Sequence, residues 1–504
     1  MPAAPLRLHD PHFHERTKID EEILSIEQHL RDLRALRNSL LPISTLPHEV
    51  LCQIFQIASK TSAITIHRLT WVCYYWREVA LGSPSLWVDI DPSLGTTWFQ
   101  VHLERSKEAN LSVTFYDSRK YPHMTDQLVA QFKRVSNMTL RNSRKDNSGD
   151  SILTTPAPAL QSLEIQHAVI PPTLFSGIAP LLKRVDLSRS TGFLFSAIPF
   201  SSITNLRLAS IDPRISVSDC LTNIHSFPNL QNLWLDSVLL ASDPIDQDQS
   251  VQFNMPQLRL IALRGVRLAT SVDFFSRISV HDELKTQVTI PSYYPMNVRE
   301  HNHAYLQLIS LLRTFEPSRK ARLVISGQML ELSSVLPGDT TAKLVTVENG
   351  PPPVLLTEML KQMPLQYVHS LKLCTHWFPS WAGTSSRLPN LEHLEVGRSV
   401  AISFIEHFAS LKPMMLNCVK DGSGVSGNPS CFPFRTLRRL VLRDIESGDI
   451  PPKAVVTSFC KVLKLRKDLG IGLDELVALE VAPGFPTERF SLCAGLVRVE
   501  KSKK

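Results

Sequence analysis

Apolar residues between positions 46 and 58 recur every three or four residues, which is the spacing of one face of an α-helix. Ser44 and Thr45 are residue types that cap a helix N-terminus, and Pro47 suits a first helical turn. Glu49 would lie near the positive end of the helix dipole. The pattern predicts a helix that begins near Pro47 and carries on one side Val50, Leu51, Ile54, Phe55 and Ala58.

A second apolar stripe follows after a polar turn. It predicts another helix, which ends at Gly82-Ser83-Pro84 before the apolar pair Leu86 and Trp87. Short helices in a segment of roughly 45 residues cannot bury all of this apolar surface against one another. We therefore expect part of the surface to bind a partner protein. The second stripe consists of Leu69, Val72, Cys73, Trp76, Val79 and Ala80.

The order and spacing of these residues resemble the F-box, a small helical module that binds the Skp-type adaptor of cullin-based ubiquitin ligases. The resemblance covers residues 43–92 and is to fungal-type F-box proteins with degenerate leucine-rich repeats. Ala58 and Tyr74-Tyr75 depart from the residue types more usual in the family. An ordinary helical hairpin at the edge of a larger domain is the alternative interpretation. The adaptor-binding residues that the resemblance implies are Leu46, Pro47, Val50, Leu51, Ile54, Phe55, Val72, Cys73, Trp76, Leu86 and Trp87.

A heptad pattern precedes this segment and predicts an amphipathic helix over residues 17–42, after a disordered stretch at 1–16. One seam position holds Ile19, Ile26, Leu33 and Leu40, and the other holds Ile23, Leu30 and Arg37. Two arrangements follow from the pattern. Either the helix pairs with a second copy, or it folds back on the F-box or the next domain, and its short length favours the second arrangement.

A short phrase recurs after residue 150, in which three apolar residues are separated by two residues and then by one. The first five copies begin 22, 21, 27 and 28 residues apart, a spacing close to that of leucine-rich repeats. The end of each phrase alternates as a short strand does. The nine copies begin at Leu160, Leu182, Ile203, Leu230, Leu258, Val368, Leu391, Leu437 and Leu476.

The phrase resembles the irregular leucine-rich repeats that follow the F-box in many members of that family. This resemblance implies an α/β repeat fold over residues 151–500, in which the repeats form a solenoid with a curved parallel sheet. A linking region at 93–150 would join this solenoid to the all-α F-box module. A different α/β or all-β domain is the alternative. The positions expected to face outward from the sheet are Glu164, Asp186, Arg207, Trp234, Ala262, Lys372, Glu395, Val441 and Glu480.

Four of these outward residues are candidates for binding a target protein: Arg207, Trp234, Lys372 and Glu395. An outward-facing tryptophan on a sheet is a plausible interface hot spot, although Trp234 would equally suit a position under a loop. The rhythm is interrupted over residues 270–360, where we expect a helix at 303–315, a degenerate strand at 323–325 and a loop at 351–353. A further loop is expected at 421–429.

Composition and motifs favour a binding protein over an enzyme. The chain has 504 residues, eight cysteines without a CxxC pair and a net charge of +7, and it lacks an apolar run long enough to span a membrane. We expect it in the cytoplasm, the nucleus or both, without nucleic-acid or membrane partners. No phosphate-binding loop or zinc-protease motif occurs, and the histidines at 9, 12 and 14 lie in a segment without a scaffold, so no cofactor or metal is expected.

The sequence thus predicts a non-catalytic substrate-recognition subunit of a ubiquitin ligase. Its partners would be the Skp-type adaptor, through that adaptor a cullin, and a target protein whose identity the sequence does not give. The alternative is a leucine-rich-repeat scaffold that belongs to no ligase.

Overall fold

A computed structural model describes most of the chain and divides it into two compact units. One unit comprises Met1–Leu182 with Ser196–Ile198, and the other comprises Lys183–Phe195 with Pro199–Lys504. The described residues are 12–60, 65–116, 120–142, 151–198, 201–240, 252–279, 284–290, 320–326, 329–335, 341–348, 357, 360–361, 363, 365–375, 378, 380–412, 415, 433–446, 450–482, 485–491 and 497–500.

The first unit begins with helices and continues into a parallel sheet. Its helices are α1 (Phe13–Ser39), α2 (His48–Ser59), α3 (Thr65–Leu69), α4 (Tyr74–Gly82), α5 (Thr96–Arg105) and α6 (Pro122–Val129). Its strands are β1 (Asp89–Ile90), β2 (Leu111–Phe115), β3 (Val135–Arg141) and β4 (Ser162–Gln166), and consecutive strands pair in parallel. Residues 93–150, expected only to link two domains, therefore contribute two helices and two strands of this unit.

Two local predictions about the helices were wrong. Helix α2 has Pro47 rather than Ser44 or Thr45 as its N-cap residue, because residues 42–45 form a separate 3-10 turn. The second apolar stripe does not form one helix, since the chain turns between α3 and α4. Cys73 caps α4, and its Sγ accepts a hydrogen bond from the Trp76 backbone N–H at 3.5 Å.

Helix α1 was expected to lie between residues 17 and 42 and to fold back on a neighbouring part of the chain. The structure places it at Phe13–Ser39, so its first turn lies in the stretch expected to be disordered. None of its side chains is buried. The seam residues Ile19, Ile23, Ile26, Leu30 and Leu33 are each between 45 % and 60 % exposed. Among the residues that the structure describes, none covers the apolar seam, and the fold-back arrangement is not observed there.

The second unit consists of a long sheet with helices between many of its strands. Its helices are α7 (Val217–His225), α8 (Leu268–Ser276), α9 (Trp381–Ser385), α10 (Arg398–Ser410), α11 (Lys453–Asp468) and α12 (Thr487–Ser491). Its strands are β5 (Arg184–Ser188), β6 (Asn205–Ala209), β7 (Asn232–Asp236), β8 (Phe253–Asn254), β9 (Leu260–Arg264), β10 (Ile278–Ser279), β11 (Lys285–Ile290), β12 (Lys320–Ser326), β13 (Met329–Val335), β14 (Thr341–Glu348), β15 (Val368–Cys374), β16 (His393–Gly397), β17 (Arg439–Arg443), β18 (Glu475–Leu479) and β19 (Val497–Glu500).

Each of the nine recurring phrases contains a strand, so the prediction of parallel strands is confirmed, whereas the leucine-rich-repeat assignment stays a prediction. Strands β5, β6, β7, β9 and β11 pair in parallel, as do β15 to β19 in chain order. The apolar residues of the phrases are buried, for example Leu206, Leu208, Leu233 and Leu235. These leucines form the core beneath the sheet because alternate strand residues point to opposite faces.

The outward residue predicted for the last phrase lies three residues too late along the chain. In β18, Val477 pairs with Val441 of β17 and so occupies the outward register position, although Val477 is buried like its neighbours Leu476 and Ala478. Glu480 follows the strand with a φ of 52° and does not occupy the predicted outward position.

Three strands, β12, β13 and β14, lie in the region 270–360, where the recurring phrase is interrupted, and are together called the hairpin below. Strand β12 includes the predicted strand at 323–325, but β13 and β14 were not foreseen. Strand β13 pairs antiparallel with β12 and β14, while β14 pairs in parallel with β11 and β12 with β15. The sheet thus runs without a break from β9 to β15. The predicted helix at 303–315, the loops at 351–353 and 421–429, and His9 lie outside the described residues.

Within the described ranges, no helix combines the length and the apolar character needed to cross a membrane.

Candidate functional site

The helices between residues 46 and 87 have a small core of their own. Four residues expected to bind an adaptor lie in this core: Leu51, Phe55, Leu86 and Trp87, of which none is more than 4 % exposed. Ile66, Val79 and Ala80 complete it. These four side chains shape the module from within and are not available to a partner in this conformation.

A second set of apolar side chains on the same helices faces outward. Val50, Ile54 and Ile57 lie at helical spacing along α2 and are 39 %, 40 % and 68 % exposed. The predicted Pro47 and Val72 are also exposed, and Leu46, Cys73 and Trp76 are half-buried. Four exposed apolar or aromatic residues were not among the predicted adaptor-binding residues. Two of them, Tyr74 and Tyr75, were noted in the sequence only because they differ from the residue types usual in the F-box family. The missed residues are Ile57, Trp71, Tyr74 and Tyr75.

Specific contacts fix the outward-facing residues relative to the core. The Tyr75 hydroxyl donates to the Leu46 carbonyl at 3.3 Å, which places the start of α4 beside the start of α2. The Trp76 and Phe55 rings lie 5.0 Å apart between centroids. Gln56 Nε2 donates to Ser85 Oγ at 3.1 Å. These contacts connect the helices that carry the exposed apolar residues to the F-box core.

Comparison with protein families identifies this helical segment. Residues 43–93 match the model of the F-box-like family. The chain thus contains an F-box-like domain. Proteins with F-box domains typically bind Skp-type adaptors. A search of curated proteins finds no match to the chain.

The F-box is joined to helix α5 by a buried pair of histidines. His67 Nε2 and His102 Nε2 lie 2.8 Å apart, so one ring must donate its proton and the other must accept it. Trp98 stacks on His67 with ring centroids 3.6 Å apart, and the Arg105 guanidinium lies 4.4 Å from the Trp87 ring centre. This aromatic cluster connects the F-box core to the helix that follows it.

Burial lowers the pKa of both histidines. Desolvation lowers the pKa of His102 to about 4, and the neighbouring His67 contributes to the shift. Desolvation also lowers the pKa of His67, with a smaller contribution from the Arg105 charge. In the unfolded chain both would titrate near the ordinary histidine pKa of 6.5. The unfolded state therefore binds more protons than the folded state between about pH 6.5 and pH 4.

We expect the F-box to lose stability as the pH falls through this window. The pKa shift of His102 corresponds to roughly 3 kcal/mol of folding free energy that is present above pH 6.5 and lost by about pH 4. Urea unfolding of the full chain at pH 7 and pH 5, followed by tryptophan fluorescence, would measure the loss. A His67→Gln, His102→Gln variant should show a smaller pH dependence, because its side chains do not titrate. An equal pH dependence would contradict the assignment.

The second unit contains a groove on the outward face of β5, β6, β7 and β9. Register aligns Asp186, Arg207, Trp234 and Ala262 in one row across these strands, as the phrase positions predicted. The groove has a volume of about 420 Å³ and is also lined by Arg184, Asn205, Asp236 and Arg264. Arg207 Nη1 lies 3.4 Å from Asp186 Oδ2. The structure thus brings the candidates Arg207 and Trp234 together in one concavity.

The other two candidate residues form an ion-pair network further along the sheet. Lys372 Nζ lies 2.9 Å from Glu395 Oε1, and Arg443 Nε lies 3.0 Å from the same oxygen. The three side chains lie on the neighbouring strands β15, β16 and β17, and the ion pairs connect these strands. Target binding by Lys372 and Glu395 stays a prediction.

Proposed function

We propose that the chain is the substrate-recognition subunit of an SCF-type E3 ubiquitin ligase. The observation that carries the proposal is the F-box-like segment at 43–93 together with the apolar residues that its own core leaves uncovered. Val50, Ile54 and Ile57 form a stripe on α2 that a partner helix or groove would bury. The adaptor bound there would connect the chain to a cullin.

The sheet of the second unit would hold the target protein. Its strands have the spacing of degenerate leucine-rich repeats, and such repeats present a broad surface to a partner. The groove around Trp234 supports this assignment, since an accessible tryptophan flanked by arginines is typical of interface hot spots.

The chain would act by proximity and would carry out no chemistry itself. Holding a target near a ubiquitin-charged enzyme raises the local concentration of the target's lysines at a remote catalytic centre. The chain would work in the cytoplasm, the nucleus or both. A leucine-rich-repeat scaffold outside any ligase is the second candidate, and it would need no adaptor.

Co-expression with a Skp-type adaptor and a cullin tests the proposal. We expect the full chain to retain the adaptor through size-exclusion chromatography and to retain the cullin only when the adaptor is present. A chain that folds but retains neither protein would leave the scaffold function in its place.

We expect the groove substitution Trp234→Ala to lower the recovery of target proteins by roughly tenfold or more, as for a hot-spot residue worth at least about 1.4 kcal/mol. Proximity labelling in cells would measure the recovery, with adaptor binding followed in parallel. Arg439→Ala is a matched control, because Arg439 lies on β17 of the same sheet and pairs with Glu475 at 2.8 Å. Equal recovery by the Trp234 variant and wild type would exclude the groove as the target site.

A further inference from the structure

Helix α1 has an apolar seam that no described part of the chain covers. The seam runs for several turns, and its five aliphatic residues between Ile19 and Leu33 are each about half exposed. A helix of this kind normally buries its stripe against another helix. The identity of that second helix follows from the charges along α1.

We propose that α1 pairs with α1 of a second copy of this chain in antiparallel orientation. Residues 13–26 carry four acidic and two basic side chains, and residues 27–39 carry three basic and two acidic ones, so the first half is net acidic and the second half net basic. In or beside the seam lie Asp20 and Glu22 of the first half and Glu27, Arg34 and Arg37 of the second. Antiparallel pairing sets the acidic half of one helix against the basic half of the other. Charge complementarity of this kind fixes orientation in helical pairs.

The apolar residues also match in this orientation. In an antiparallel pair each a position lies opposite a d position. Ile23 then meets the partner's Leu33, Ile26 meets the partner's Leu30, and both contacts recur by symmetry. Four consecutive aliphatic layers result. Ile19 meets the partner's Arg37 in the layer beyond them, where the arginine stem can cover the isoleucine while its charge reaches the acidic first half.

Flanking charges distinguish the two orientations. In the antiparallel pair Asp20 lies beside the partner's Arg34, twice by symmetry. Glu27 lies beside the partner's Glu27 at the twofold axis, which is one like-charge contact, and within its own helix it pairs with Arg31 at 3.2 Å. A parallel pair would instead set Arg37 against the partner's Arg37 in the seam and Glu22 against the partner's Glu27 on both flanks. Like charges in these positions disfavour the parallel arrangement.

Light scattering on the full chain tests for the dimer, and a disulfide tests its orientation. We expect twice the chain mass at micromolar concentration, and monomer for Ile26→Asp with Leu30→Asp. Both side chains are exposed in the single chain, so circular dichroism should confirm that this variant remains folded. A wild-type monomer, or a dimer unaffected by the two substitutions, would overturn the proposal.

Orientation is read from the double variant Ile19→Cys, Arg37→Cys. Oxidation should join residue 19 of one copy to residue 37 of the other, as identified by mass spectrometry of the linked peptides. A disulfide between two residues 19 would overturn the antiparallel arrangement. Glu21→Cys with Ala35→Cys is the matched control, because these positions lie on the side of α1 away from the seam and should form at least tenfold less linked dimer.

A charge exchange gives an independent check. Asp20→Arg alone should shift the equilibrium towards monomer by severalfold, and adding Arg34→Asp should restore the wild-type dimer. Failure of the second substitution to restore the dimer would contradict the proposed flanking pair. None of these substitutions touches α2, so adaptor retention should remain at the wild-type level in each variant, and the result is independent of the proposed ligase function.

Discussion

A chain with Ile54→Asp and Ile57→Asp should lose its Skp-type adaptor. Both side chains are exposed on α2, so replacing them leaves the F-box core intact. In a complex, each carboxylate would be buried against apolar partner surface without a compensating charge, which costs several kcal/mol. We expect an affinity at least ~100-fold lower, equivalent to about 3 kcal/mol. Titration calorimetry with the purified adaptor would measure the change.

The matched control for this experiment is Ile178→Asp with Leu181→Asp. Both residues are apolar, lie in the same unit and are 48 % exposed, yet they lie far along the chain from the F-box. The control should bind the adaptor like wild type. Equal adaptor binding by the α2 variant would remove the exposed stripe from the interface, and with it the main support for the ligase function.

Trp87→Ala should produce the largest loss of stability in the F-box. Trp87 is fully buried, and its Nε1 donates to the Ala80 carbonyl at 2.8 Å. It also contacts Arg105 through its ring face. Truncation removes a large apolar group, creates a cavity and leaves the Ala80 carbonyl with the Ser83 backbone N–H at 3.4 Å as its remaining donor. The expected cost is about 3–5 kcal/mol.

Urea unfolding of the full chain and limited proteolysis after residue 40 would detect this loss. Trp71→Ala is the control, because Trp71 is 69 % exposed and its truncation should change the unfolding free energy by less than about 0.5 kcal/mol. The two variants also separate folding from binding. Trp87→Ala should affect stability, whereas Trp71→Ala removes an exposed aromatic side chain and should affect only contacts with a partner. An unchanged stability of the Trp87 variant would show that the F-box core does not depend on this residue.

The strands of the second unit could be predicted because their signal is local. Each phrase sets two apolar residues on alternate positions, as in Leu233 and Leu235, and both are buried in the structure. The same alternation predicts that Arg207 and Trp234 lie side by side on the outward face, and the register of β6 and β7 agrees. Period-two patterns fix the face of a strand without knowledge of its neighbours.

The failures arise where local signals conflict. Leu476-Val477-Ala478-Leu479 is apolar throughout, so alternation cannot choose between two registers, and pairing with β17 decides in favour of Val477. The hairpin strands β13 and β14 match no repeat phrase, and their pairing depends on distant strands. The turn between α3 and α4 interrupts a stripe whose spacing is helical throughout.

The adaptor surface was predicted only in part, for a related reason. Helical spacing shows that α2 is apolar, but Leu51 and Phe55 face the core while Val50 and Ile54 face outward. The apolar stripe of α2 is wide enough to contact the F-box core on one side and to leave apolar side chains exposed on the other. Which side is buried depends on where α4 and Trp87 pack, and that contact is not visible in the spacing.

The hairpin of β12, β13 and β14 has a consequence for how the second unit unfolds. In an array whose strands touch only their neighbours, stability passes from strand to strand. The groove strands β5, β6, β7 and β9 and the ion-pair strands β15 to β17 lie on opposite sides of this hairpin, and continuous pairing through β11, β14, β13 and β12 joins them. The hairpin is therefore the route by which the two sides stabilise each other. A substitution that breaks its pairing should let the groove and the ion-pair network unfold separately.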